Sequence, residues 1–338
     1  MKNEEFAAAM TRYAFRMMHY VLLVAFLSSC VEENKGKVVT GAAQSAPYEL
    51  LVVANKEWLK TQTGKALMDV VESSIEGLPQ NEPNFKCIKI DPVRFNSTFK
   101  VYANILWVEI GSKYQTAEMR IARDLYCRPQ LIVSLYAPDD AALALLLQER
   151  REQILGLFNE QEFSRERQRL SKKHSGVVSQ QAEKQFGVKI NAPADIRQVK
   201  AGKDFFWAST GNQDFKLNIC LYTLPLQNLS FETFAAVRDS VMRVNIPGGH
   251  EGQWMETDAR TLSYNQRTDP ESGALQMVVR GLWDMKGDAM GGPFVSYIQL
   301  DTLNERLLVS EGFVFAPNKK KRALIRELEA ALQSVELK

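Results

Sequence analysis

Four stretches near the end of the chain, Trp254–Gln266, Ala274–Met285, Phe294–Leu300 and Leu307–Phe315, constrain the fold more than any other feature. Each is rich in apolar, aromatic and β-branched residues, and only a few residues separate one from the next. A parallel crossover needs about a dozen residues or more, so strands joined this closely predict a largely antiparallel sheet. Asn318 is placed to cap a last helix in which Leu324, Ile325, Leu328, Ala331, Leu332 and Val335 recur at helical spacing. Upstream, Val188–Ala192 leading to Pro193, Asp204–Ser209 and Lys216–Thr223 read as further strands. Phe231, Phe234, Val237, Val241 and Val244 form an amphipathic helix that ends at Pro247-Gly248-Gly249.

The first half reads as a smaller body of its own. Tyr48–Ala54 suits a short buried strand, and Glu57–Ile75 suits a helix with a break at Thr63-Gly64. Phe85–Ile90, Val101–Ile110, Met119–Ile121 and Gln130–Tyr136 follow as strands. Pro138-Asp139 opens a long helix with Leu143, Leu146, Leu147, Ile154, Leu157 and Phe158 on one stripe. It runs into Asn159–His174, whose density of Glu, Arg, Lys and Gln predicts a solvated helical connector. The expected class is α+β, with two two-layer domains, each a mostly antiparallel sheet covered by helices. In element order the second domain is similar to a PsbP/Mog1-like sandwich, which implies nothing about function.

At the other end, Leu27-Ser28-Ser29-Cys30 stands directly behind the apolar run Tyr20–Leu27 and resembles a bacterial lipobox. The run is about 10 residues, short of the ~20 that span a bilayer as a helix, and Arg12 and Arg16 flank it. We read residues 1–29 as a removed lipoprotein signal peptide and Cys30 as the lipid attachment site. Residues 30–47 read as a flexible tether, 48–158 as an N-terminal α+β domain, 159–182 as the charged connector and 183–338 as a C-terminal α+β domain. Val31, rather than Asp, behind the cysteine fits passage to the outer membrane.

A formal net charge of +2 argues against a nucleic-acid surface, which needs a concentrated positive face. Cys87, Cys127 and Cys220 lie in strand-like surroundings and read as buried free thiols; without nearby histidines they do not suggest a metal site. No cofactor is expected.

Several segments carry a family resemblance: Gly77-Leu78-Pro79-Gln80 with Glu82-Pro83, Arg128-Pro129-Gln130-Leu131, Arg238-Asp239-Ser240, Arg280-Gly281-Leu282-Trp283, Gly287-Asp288-Ala289-Met290-Gly291-Gly292-Pro293-Phe294-Val295-Ser296-Tyr297, and Glu311-Gly312-Phe313-Val314-Phe315-Ala316-Pro317. From Tyr48 to the C-terminus the chain resembles an uncharacterised Bacteroidota lipoprotein family of unknown function. The resemblance implies an exported, lipid-anchored envelope protein and brings no activity or catalytic residue.

Chemistry-bearing motifs are sparse. His250 sits in a glycine-rich loop and His174 in the connector. Ser97-Thr98-Phe99-Lys100 has the spacing of a serine–lysine pair but leads into a strand instead of a buried helix. Lys319-Lys320-Lys321-Arg322 opens the last helix, where positive charge opposes the helix dipole. The segment around Gly287–Pro293 gathers the best candidates for a ligand or partner site: Arg280, Trp283, Asp288, Gly291, Gly292, Tyr297 and Glu311. Strand alternation could put Arg280 and Trp283 on opposite faces. The expected role is non-catalytic binding or scaffolding of an envelope protein or glycan, with membrane contact through covalent lipid. The alternative is a hydrolase or transferase on envelope polymers that uses Asp288 and Glu311. Replacing Cys30 with Ala is expected to abolish lipid labelling and release the protein from the membrane fraction; retained label would refute the anchor.

Overall fold

A computed structural model describes residues 41–211, 215–226, 230–268, 273 and 275–337. Cys30, the leader and most of the tether lie outside the described residues. Two compact units emerge, one from residues 41–45, 50–64 and 88–150, the other from residues 46–49, 65–87 and 151–337. No helix among the described residues is long and apolar enough to cross a membrane.

In chain order the first elements are β1 (Glu49–Val53), α1 (Gln62–Val71), β2 (Lys86–Ile90), α2 (Ser97–Lys100), β3 (Asn104–Ile110), β4 (Glu118–Arg123), β5 (Leu131–Ala137) and α3 (Asp140–Lys172). The five strands form one sheet in the order β2-β1-β3-β5-β4. Here the expectation of mostly antiparallel pairing fails. β1 pairs with β3 and β3 with β5 in parallel, while β4 runs antiparallel to β5. The runs Leu50–Val53 and Ile105–Leu106 are continuously apolar and fully buried, as strands covered on both faces must be. One face packs Leu51, Val53, Ile105 and Ile132 against Phe95, Phe99, Tyr102 and Trp107. The buried Gln130 of the Arg-Pro-Gln-Leu segment has a structural use: its amide donates to the carbonyls of Lys100 and Tyr102, both at 2.7 Å, and accepts from Tyr126 N.

The second unit continues with α4 (Gly176–Phe186), β6 (Val188–Lys189), β7 (Ile196–Ala201), β8 (Phe205–Thr210), β9 (Lys216–Pro225), α5 (Phe231–Asn245), β10 (Met255–Thr268), β11 (Leu275–Met285), β12 (Gly291–Asp301), β13 (Arg306–Phe315), α6 (Arg322–Leu332) and β14 (Glu336–Leu337). Seven strands pair antiparallel throughout in the order β10-β11-β12-β13-β9-β8-β7, as the closely spaced strand signals predict. Over the whole chain the α+β class with mostly antiparallel strands holds.

Both faces of the large sheet are buried, so helices stand on two sides of it and not on one. Phe206, Ile219, Leu221, Val278, Val295, Leu308 and Val314 pack with α4 and α6. Their strand neighbours Phe205, Cys220, Tyr222, Val279, Phe294, Val309 and Phe313 pack with Phe234 and Met242 of α5. Gly312 lies where α6 crosses the sheet; a Cβ there would stand 2.9 Å from Leu328 Cβ.

Two expectations about helices need correction. Asn318 does not cap α6; it has φ 58° and lies before the helix, whose N-cap residue Lys321 makes no side-chain cap bond. Instead the carboxylate of Glu82 accepts from Lys321 N at 2.6 Å and Arg322 N at 3.2 Å. A negative group at the helix N-terminus offsets the basic run that opposes the dipole there. Nor is the stretch Asn159–His174 simply solvated, because Gln161, Glu162, Phe163 and Leu170 are buried. Glu162 pairs with Arg165 and accepts from Tyr48 N at 2.8 Å, which satisfies its charge inside the fold.

α3 also carries Gly156 in its interior, with nothing within 4 Å of where a Cβ would stand. Gly156→Ala is therefore expected to stabilise by up to about 1 kcal/mol, and Gly312→Ala to destabilise by roughly 1–3 kcal/mol. Thermal unfolding of the two variants should shift in opposite directions.

Candidate functional site

The candidate residues of the Gly287–Pro293 region divide among three places. Trp283 is buried on the α5 side, where its Nε1 donates to Val314 O at 3.3 Å and its ring meets Phe313 edge-on. Glu311 lies on the same side and is fully buried. Arg238 of α5 holds it with Nε and Nη2 at 2.8–3.1 Å, and Ser296 Oγ donates to it at 2.7 Å. The Arg238 guanidinium also stands 4.0 Å from the centre of the Phe294 ring and donates to Thr257 Oγ1. Burial weakens the charged form of Arg238, yet the charge of Glu311 and its hydrogen bonds raise the pKa overall.

Asp288 sits in the exposed turn between β11 and β12, where its carboxylate accepts from Ala289 N at 2.6 Å. Gly287 has φ +78°, the left-handed conformation that favours glycine. At Gly292 a Cβ would stand 2.0 Å from Val314 O, and at Gly291 2.6 Å from Asp284 Oδ1. These two glycines serve close packing of β11, β12 and β13. The carboxylate pair expected of a hydrolase does not form: Glu311 is sealed in the core by Arg238, and Asp288 is on an open turn.

Arg280 and Tyr297 do meet, on the opposite face. Arg280 and Ser263, paired across β10 and β11, point to the same side as Tyr297, and there a cleft of about 510 Å³ opens. Its floor is Asn265, Arg267, Val278, Arg280 and Tyr297; its walls are Gly156, Asn159, Glu160 and Phe163 of α3, Glu329 of α6 and Gln333 at the end of that helix. Arg280 is ion-paired with Glu329. Tyr297 Oη donates to Glu329 Oε1 at 3.0 Å and accepts from Gln333 Nε2 at 3.0 Å. Arg167 donates to Gln333 Oε1 and Glu160 Oε1, both at 2.6 Å. Arg326 reaches Glu329 Oε2 at 3.3 Å and Asn84 Oδ1 at 2.8 Å.

The electrostatics follow from these contacts. Burial pushes the Glu329 carboxyl up, but the charges of Arg280 and Arg326 and the hydrogen bonds from Tyr297 and Arg280 outweigh it and hold it below the usual carboxylate range. Burial, reinforced by the negative charge of Glu329, pushes the Tyr297 hydroxyl up to about 12. Glu329 therefore stays charged and Tyr297 stays protonated at neutral pH.

Of the expected site residues only Arg280 and Tyr297 line this cleft. Glu329 and Gln333 escaped the sequence reading although a signal existed: both interrupt the apolar stripe of the last helix with polar groups, beside Ile325, Leu328 and Leu332. His250 is exposed in its loop, and His174 lies 3.2 Å from Leu170 O. Ser97–Lys100 is a single short helical turn. Cys127 and Cys220 are buried, and Cys87 is partly buried.

The architecture is thus that of a two-unit α+β protein with a polar cleft in the second unit. Residues 175–334 match the family model of a domain of unknown function, DUF4837, and residues 43–171 match that of a second domain of unknown function, DUF8532. No curated protein matches the chain. The solved structure of the human StarD13 (DLC2) lipid transfer and protein localization domain aligns over 40% of this chain and 88% of its own, at 7% identity and a TM-score of 0.20. A likeness that low carries no conclusion about fold or function.

Removing Arg238 while leaving Glu311 buried is expected to cost about 3–5 kcal/mol. Arg238→Met should lower the unfolding midpoint sharply, and adding Glu311→Leu should recover much of the loss. Equal midpoints for the single and double variants would contradict this account of the pair.

Proposed function

We propose that this protein is a non-catalytic binding or scaffolding protein of the cell envelope, anchored by lipid on Cys30, with its partner site in the cleft around Arg280, Tyr297 and Glu329. The anchor rests on Leu27-Ser28-Ser29-Cys30 behind a short apolar run, and the Val at position 31 favours the outer membrane. Diacylation plus an N-acyl chain buries enough methylenes for stable attachment, where one chain alone is marginal.

One observation carries the binding reading: within the cleft, Arg280 is matched by Glu329, and Tyr297 is bonded to the same carboxylate. Glu329 is held ionised by two arginines and Tyr297 is held protonated, so neither is poised to exchange a proton near neutral pH. Groups fixed in this way suit recognition, because they do not have to reorganise when a partner arrives.

A photo-crosslinking amino acid placed at Asn265 in the full-length protein tests the site in intact cells. A discrete adduct is expected from Asn265 and none from the exposed position Val244 on α5. Equal labelling from both positions, or turnover of envelope polymers by the purified protein, would contradict the proposal.

A further inference from the structure

We infer that the cleft takes an extended, acidic peptide segment of another protein, which pairs with the free edge of β10; this rests on the reading of the cleft as a partner site. β10 is the terminal strand of the seven-stranded sheet. Over Asn265–Thr268 its main chain pairs with β11 on one side, and on the other side it has no backbone partner among the described residues. An unpaired strand edge is a template for one more strand. Four consecutive β10 residues line the cleft, although alternation turns the side chains of Gln266 and Thr268 to the other face; their backbone is what they present there.

Gly156 gives a second, independent indication of an occupant. Glycine is the poorest helix former after proline, and this one stands inside a 33-residue helix with no neighbour within 4 Å of a Cβ. No packing contact among the described residues requires it. Its missing side chain instead leaves room in the cleft that β10 also lines.

Charge sets the chemistry of the segment. Arg280 is matched by Glu329 and Arg167 by Glu160, whereas Arg267 has no carboxylate partner among the described residues and stands 5.8 Å from the centre of the Tyr297 ring. An Asp or Glu side chain of the incoming strand would pair with Arg267. Asn159 Oδ1, in the facing wall, also has no donor among the described residues. A glycan fits less well. The aromatic rings at the cleft, Phe163 and Tyr297, are 6% and 2% exposed, so they offer no open face for a sugar ring to stack on.

Panning a random heptapeptide phage library against the full-length protein in detergent micelles tests the inference. Enriched peptides are expected to carry Asp or Glu and to slow amide exchange at Asn265–Thr268. Their affinity should fall at least tenfold in both Arg267→Glu and Gly156→Leu. The thermal midpoint of Gly156→Leu should match or exceed that of the unaltered protein, which separates a blocked cleft from a damaged fold. No enrichment, binding insensitive to both substitutions, or unchanged exchange along β10 would overturn the inference. If panning fails while the Asn265 adduct formed in cells contains a glycan or lipid, the cleft still binds and only the peptide assignment falls. If both fail, the binding reading itself is lost.

Discussion

Glu329 is the interaction on which the second unit's functional face depends. One buried carboxylate on α6 receives Arg280 from β11, Tyr297 from β12 and Arg326 from its own helix, and Arg326 continues to Asn84. An uncompensated charge at that depth would cost several kcal/mol, so the partners are obligatory once the carboxylate is there. They also fix the floor of the cleft, since two of them are floor residues.

A second buried ion pair serves the other side of the same sheet. Arg238 and Glu311 join α5 to the sheet, and alternation along β13 explains how one short segment serves both faces: Glu311 and Phe313 turn toward α5, while Gly312 lets α6 approach from the other side. The motif Glu311-Gly312-Phe313 thus describes a sheet clamped between two helical layers. Likewise Gly291 and Gly292 allow close packing of the β11–β13 strands and do not cradle a ligand.

Much of this was legible in the sequence where the signal is local. The closely spaced strands β10–β13 and the apolar stripe of α6 follow from periodicity alone. What stayed hidden depends on contacts distant in sequence. The cap on α6 comes from Glu82, more than two hundred residues away, so Asn318 looked like the better choice. The parallel pairing of β1, β3 and β5 was missed because continuous apolar runs do not reveal strand direction. Arg280, Trp283 and Glu311 sit close together in registered strands, yet the pleat sends Arg280 to the cleft and the other two to the core.

The most direct test of a binding cleft with a fixed charged floor is the titration of the Glu329 side-chain carboxyl, followed by carbon NMR in glutamate-labelled protein and assigned with Glu329→Gln. The account predicts a midpoint below about 4.3, the value of an unperturbed glutamate, with the carboxylate charged throughout the neutral range. A midpoint between about 6 and 7 would contradict it, because that carboxyl would be poised for proton transfer and the cleft would have to be read as a catalytic site.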